Sequence, residues 1–249
     1  MSTLHLIGGG WDTAASAQVY APFLADATVR AGGPPAIACL VLDEGDGAER
    51  VERWTRTLTA VAPCRIRPLL VPLAERLDPA RLGDADALLV DGGLTPGYAD
   101  ALVPVAADIR SWLAGGGRPY AGFSAGAAIA ARWAIVGGWR SGGVPVCPED
   151  TGEDLDELTV VPGLGLTKWS VDVHCAQWGT LPRLIEVIRA TEPGQGRGNG
   201  LGIDENTLVT IDADGGLSVA GAGRAWLVHR GGGRAMATVS PVPSGTRLG

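Results

Sequence analysis

The 249 residues, 46% apolar and 19% charged, suit a globular enzyme that buries most of its apolar surface in one core, and they exclude a disordered chain. A net charge of −7 with no Lys/Arg-rich run argues against a surface that tracks nucleic-acid phosphates, so no nucleic-acid partner is expected. The four cysteines, Cys39, Cys64, Cys147 and Cys175, form neither a C-x-x-C pair nor a Cys/His cluster at zinc spacing, and no metal site is expected.

The chain does not open on a basic segment followed by an apolar run, and no apolar stretch nears the roughly 18 residues of a membrane span. The expectation is a cytoplasmic, reduced-thiol protein without a membrane partner. Short apolar runs then alternate with amphipathic stretches, the pattern of βαβ units. One α/β domain over residues 1–249 is predicted, with a doubly wound, mostly parallel sheet flanked by helices. Strands are predicted at Leu4 to Ile7, Ala36 to Leu42, Ile66 to Val71, Ala87 to Val90 and Pro119 to Phe123. Between them fall helices at Ala14 to Arg30, Glu49 to Ala62 and Pro96 to Ala114, the last stopped by Gly115, Gly116 and Gly117. A helix from Ala125 to Trp133 follows, and then a glycine-rich, acidic stretch from Gly137 to Glu157 that reads as a hairpin or flap. Further on come a strand at Trp169 to Val173, a helix at Leu181 to Arg189, a loop from Glu192 to Gly198, and strands at Leu201 to Asp204 and Thr207 to Ile211. Leu217 to Ala220 and Ala225 to Val228 would complete a sheet edge, and the Gly/Pro-rich tail of residues 231–249 is expected to be only partly ordered.

The sharpest local feature is Gly122-Phe123-Ser124-Ala125-Gly126, a G-x-S-x-G between an apolar strand and a helix of small residues. A serine on such a turn needs small neighbours so that the backbone can bend, and its hydroxyl then projects at the carboxyl end of the sheet. Backbone amides there, especially that of Ala125, can face the charge that develops on a carbonyl oxygen. A serine hydroxyl also needs a base, and the chain offers His5, His174 and His229. His5 lies inside the first strand and is set aside. His229 would complete the order Ser, acid, His of α/β-hydrolases. His174 follows the run Trp169 to Val173, with Asp172 two residues before it. Spacing leaves both open. In Gly202-Ile203-Asp204-Glu205-Asn206 an apolar strand ends in two carboxylates. Glu205 there either orients an imidazole or belongs to an ordinary polar turn.

Taken together and in order, several segments resemble the serine peptidase family of cyanophycinase and dipeptidase E, the cyanophycinase branch more than the dipeptidase branch. They are Gly8-Gly9-Gly10, Asp91-Gly92-Gly93, Gly122 to Ala127, Pro162-Gly163-Leu164-Gly165-Leu166, Asp172-Val173-His174 with Gln177, and Gly200 to Thr207. The resemblance implies a flavodoxin-like, class I glutamine amidotransferase-like fold with a nucleophile elbow. It implies a triad of Ser124, His174 and Glu205, and so favours His174 over His229, with the backbone amides of Gly93 and Ala125 as oxyanion hole. It also implies a substrate-binding role for Asp172, and Thr95, Gln177, Trp178 and Arg183 are the other substrate-binding positions expected in this chain. The family cleaves peptide or isopeptide bonds beside aspartyl residues without metal or cofactor. The implied partner is therefore a small peptide or amide, and a homodimer is compatible with the resemblance.

The departures bear on specificity. Trp178 and Thr180 stand where cyanophycinases carry arginines, and Leu94 and Thr95 replace a polar pair after the two glycines. An arginine grips a carboxylate with two parallel hydrogen bonds and a tryptophan cannot, so a shift away from aspartyl substrates is expected. Trp178, with Trp169 or Trp139, would suit an apolar acyl group. The acidic stretch Glu149 to Glu157 is either part of a flap that attracts a cationic substrate or a solvated loop. Three rivals stand beside the peptidase reading: a catalytically silent ligand-binding protein, an esterase using His229, and a glutamine amidotransferase, whose chemistry uses cysteine where this chain has Ser124.

Overall fold

A computed structural model describes residues 2–190, 198–231 and 236–249. The first half of the chain runs β1 (Leu4–Ile7), α1 (Ser16–Ala31), β2 (Ala36–Asp43), α2 (Gly47–Val61), β3 (Arg65–Pro72), β4 (Ala87–Val90), α3 (Thr95–Leu102), α4 (Ala106–Gly116) and β5 (Tyr120–Phe123). The second half runs α5 (Ala125–Ile129), β6 (Trp133–Gly137), β7 (Arg140–Ser141), β8 (Val144–Pro145), β9 (Thr159–Pro162), β10 (Ser170–Val173), α6 (Leu181–Ala190), β11 (Asn199–Ile203), β12 (Thr207–Ile211), β13 (Leu217–Gly221), β14 (Arg224–Arg230), β15 (Ala237–Pro243) and β16 (Arg247–Leu248).

The central sheet has eight strands in the order β16-β13-β12-β1-β5-β4-β2-β3. β1, β5, β4, β2 and β3 are mutually parallel, and β12, β13 and β16 extend the β1 side through antiparallel pairs. Both faces of the parallel part are covered, which is why its strands read as unbroken apolar runs. β2 illustrates this: Ile37, Cys39 and Val41 pack with Phe23, Trp54 and Leu58 of α1 and α2, whereas Ala38, Leu40 and Leu42 pack with Tyr98, Leu102, Ile109 and Leu113 of α3 and α4. The molecule is thus mixed α/β, with a large, mostly parallel sheet between helices. A second sheet, β10-β11-β14-β15, begins with the parallel pair β10 and β11 and continues antiparallel. Leu184 and Ile188 of α6 pack with Ile135 and Val228 against it. Among the described residues no helix is long and apolar enough to cross a membrane.

Several boundaries differ from expectation for identifiable reasons. The helix expected over Pro96 to Ala114 is two helices joined by a 3-10 turn at Val103–Val105, because Pro104 has no N–H to donate and its ring crowds the preceding turn. The helix expected to reach Trp133 ends at Ile129, and Trp133–Gly137 pairs with β9 as a strand. Its β-branched and aromatic residues prevail there over the alanine run before them. The stretch Gly137 to Glu157 contains a short hairpin, β7 and β8, turned by Gly142 and Gly143 at positive φ. Leu217 to Ala220 and Ala225 to Val228 do not share one edge: β13 joins the central sheet and β14 the second. Within the described part of the tail, β15 pairs with β14 over seven residues and β16 with β13. Pro241 and Pro243 are tolerated because β15 is an edge strand. Most of the loop expected from Glu192 to Gly198 lies outside the described residues.

Candidate active site

Five strand ends converge on one place. The neighbours β1, β5 and β4 end in Gly8-Gly9-Gly10, Ser124 and Asp91-Gly92-Gly93, while β10 and β11, the parallel pair of the second sheet, end in His174 and Asp204-Glu205. Carboxyl ends of parallel strands are where α/β sheets form sites. Here the ends of two sheets face one another.

Ser124 sits at φ 51°, ψ −112°, between β5 and α5, a backbone conformation that costs a non-glycine residue on the order of 1–3 kcal/mol. The two flanking glycines make the turn sterically feasible. A Cβ on Gly122 would lie 2.4 Å from the Gly126 carbonyl oxygen, and one on Gly126 would lie 2.3 Å from that of Val90. The Ser124 amide donates to the Ile7 carbonyl (2.9 Å), which ties the turn to β1. Among the described residues the amides of Ala125 and Gly93 donate to no protein acceptor.

His174, also at positive φ (55°), donates its amide to the Gly8 carbonyl (3.1 Å). Its Nδ1 lies 2.7 Å from Glu205 Oε1 and its Nε2 2.8 Å from Ser124 Oγ. Because an ionised carboxylate only accepts, the proton of the neutral ring belongs on Nδ1, and Nε2 is left to accept the serine hydroxyl. Burial holds the imidazole below the ordinary histidine range, and Glu205 opposes that shift. The resting ring is therefore a neutral base at pH 7. Gly9 (φ 94°) leaves the space the ring occupies, since a Cβ there would lie 2.0 Å from His174 Cε1. On the other side the indole of Trp178 stacks on the imidazole, centroids 3.8 Å apart and planes within 7°. Glu205 is itself held: its amide donates to Gln177 Oε1 (2.8 Å), and the next amide, of Asn206, donates to the Gly9 carbonyl (2.6 Å).

The other expected site residues divide into two groups. Trp178 is 45% exposed and lines both cavities that open onto Ser124, and Gln177 orients the Glu205 loop. Asp172 and Arg183, expected to bind substrate, instead saturate one another in the interior. Arg183 Nε and Nη2 donate to the two Asp172 oxygens (2.9 and 2.7 Å), Nη1 donates to the Thr151 carbonyl (2.6 Å), and both residues are buried. Thr95 is buried too, its hydroxyl and amide donating to the Glu153 carboxylate (3.0 and 3.1 Å). Trp139 lines a cavity at the site, whereas Trp169 packs on His229. His229 bonds Asn199, and His5 bonds Asp26; neither lines a cavity with Ser124. Asp204, the other carboxylate of its motif, accepts from the Arg224 and Ala176 amides and the Trp226 indole, a purely structural set. Sequence reasoning missed Arg50 and Trp11, and it reached Glu153 only as part of the acidic stretch. They carry no local motif and reach the site only through the tertiary fold.

The two cavities differ in charge. The larger, about 560 Å³, is walled by Glu44, Glu149, Asp150, Glu153, Asp154 and Asp156, and among the described residues no basic residue lines it. The smaller, about 440 Å³, is lined by His174 and Trp11 and mixes both signs, with Arg50 and Arg53 beside Asp46, Glu49, Asp91 and Glu205. The acidic stretch thus forms a wall of the Ser124 cavity and is not a detached surface loop.

No family model matches the chain. Over 126 residues it is 35% identical to the cyanophycinases of Trichormus variabilis (strain ATCC 29413 / PCC 7937) and of Nostoc sp. (strain PCC 7120 / SAG 25.82 / UTEX 2576). The matched segment is 50% of this chain and 38% of each of those proteins. In structure it resembles a peptidase from an acI-B1 Actinobacterium, with a TM-score of 0.68 at 18% identity over 100% of this chain and 96% of the other. Over the matched half the chain is cyanophycinase-like in sequence. A candidate peptidase E protein from Listeria monocytogenes EGD-e has the same fold more distantly, with a TM-score of 0.55 at 14% identity over 89% of this chain and 99% of the other. This cyanophycinase-like chain spans well under half the length of the curated relatives it matches.

Proposed function

We propose that the chain is a serine-type peptidase or amidase with a class I glutamine amidotransferase-like arrangement, in which Ser124 stands on a nucleophile elbow. The reading rests on one observation: a serine hydroxyl 2.8 Å from the accepting nitrogen of an imidazole whose other nitrogen lies 2.7 Å from a carboxylate. In this mechanism His174 takes the Ser124 proton as the hydroxyl attacks an amide carbonyl, and Glu205 stabilises the imidazolium. The oxyanion faces the amides of Gly93 and Ala125, which donate to no protein acceptor among the described residues. His174 then protonates the departing amine, and water repeats the sequence on the acyl-enzyme. The leaving group belongs in the smaller cavity, because that is where the imidazole can reach it. The acyl group then belongs in the larger one.

That assignment bears on the substrate. Arg183 is occupied by Asp172, and six acidic residues line the acyl-side cavity, Glu153 with its carboxylate held by Thr95, a field that favours an ammonium or guanidinium group and repels an aspartyl carboxylate. The proposed substrate is a small peptide or amide with a cationic residue on the acyl side, not the aspartyl bond of the family resemblance. The test is hydrolysis of matched dipeptides with lysyl, arginyl, neutral, aspartyl or isoaspartyl acyl residues. Cationic members should be cleaved fastest, and Ser124→Ala should abolish cleavage of every member. Preferred cleavage of aspartyl members would overturn the substrate reading alone, and unchanged turnover in Ser124→Ala would overturn the serine mechanism.

A further inference from the structure

We infer that Arg50 is a positioning residue that holds the Gly92–Gly93 peptide with its N–H turned toward the Ser124 cavity. Arg50 lies on α2, remote in sequence from every motif of the site. Its guanidinium bridges two acceptors of the β4 loop: Nε donates to Asp91 Oδ2 (2.9 Å), and Nη2, which lies 2.8 Å from the same oxygen, donates to the Gly92 carbonyl. Nη1 reaches the Leu42 carbonyl at the end of β2 (3.4 Å). Asp91, buried beneath the loop, closes the arrangement from the other side, because its Oδ1 accepts the Gly92 amide (2.7 Å).

A trans peptide is planar and its C=O and N–H point in opposite directions. Fixing the Gly92 oxygen on Arg50 therefore fixes the Gly93 N–H on the far side of the same plane. Gly93 lines both cavities with Ser124, and its amide has no protein acceptor among the described residues. Gly93 sits at φ 123°, a region open to glycine, and among the described residues the Arg50 contact is the one hydrogen bond on this peptide plane, so its loss would free the carbonyl to turn into the site. The arginine fork is required because one planar group must meet the carboxylate and the carbonyl together, which a lysine ammonium cannot do in the same geometry.

The inference rests on the serine-hydrolase reading and is tested apart from it. In the wild-type protein, a peptide boronate that adds to Ser124 presents an oxyanion analogue to both amides, and the proton resonances of Gly93 and Ala125 should move downfield in ¹H–¹⁵N spectra. Arg50→Met and Arg50→Lys should each lower kcat by about 100-fold, as does loss of one oxyanion donor, with KM nearly unchanged. Boronate affinity should fall in proportion to kcat/KM. An adduct on Ser124 that leaves the Gly93 resonance in place would overturn the inference even if neither variant folds. So would a folded Arg50→Met or Arg50→Lys enzyme with kcat within threefold of wild type. A wild-type protein that forms no adduct at all would instead remove the serine mechanism, and the inference with it.

Discussion

The proposed nucleophile and base share a backbone conformation uncommon for non-glycine residues: Ser124 and His174 both sit at positive φ, each beside a glycine whose missing side chain makes room. Gly9 is the clearest case, with its Cα directly against the imidazole. Gly9→Ala should displace the ring and lower kcat by at least about 100-fold, by analogy with small misplacements of catalytic groups, while circular dichroism stays native. In the proposed mechanism His174 also sets the pH profile. Its neutral form is the base and burial lowers its pKa, so kcat/KM should fall on the acid side with a midpoint below the ordinary histidine value of about 6.5. Glu205 raises that pKa. In Glu205→Gln the midpoint should therefore move to still lower pH while the plateau rate drops, a pairing that distinguishes a carboxylate acting on the imidazole from one that merely shapes a turn. A midpoint that moves upward would contradict the assignment.

At the scale of elements, the ends of β1, β4, β5, β10 and β11 carry the site, and these strands were legible in the sequence to within a residue or two. They are short apolar runs that end in glycine or polar residues, the clearest signal a buried parallel strand gives. Helix boundaries were less legible. Pro104 divides what the apolar pattern presents as one helix, and the alanine run after Ser124 conceals an early stop before β6. The roles of Asp172 and Arg183 were not legible at all, because no local pattern records that a residue of β10 and a residue of α6 will neutralise each other. Their pairing makes a direct prediction. Arg183→Met strands the buried Asp172 carboxylate and should lower stability by about 3–5 kcal/mol in chemical denaturation. A substrate-contacting arginine would instead raise KM and leave stability near wild type.

For the whole molecule, the account depends on two sheets bringing distant segments together. Ser124, His174 and Glu205 are separated by 50 and 31 positions, and their meeting is a property of topology. The motifs could nominate them, but spacing alone could not decide between His174 and His229. The structure distinguishes the two by neighbourhood: His174 lies between a serine and a carboxylate, and His229 between Asn199 and Trp169. The charge of the Ser124 cavity is likewise a property of the whole fold, since Glu44 follows β2 and the remaining carboxylates come from the segment after β8. Reaction with a fluorophosphonate, followed by mass spectrometry of the digested protein, tests the convergence most directly. One phosphonate adduct on Ser124 is predicted, unchanged in His229→Ala and slowed by at least about 1,000-fold in His174→Ala. A folded wild-type protein that remains unlabelled, or labelling as fast in His174→Ala as in wild type, would contradict the account.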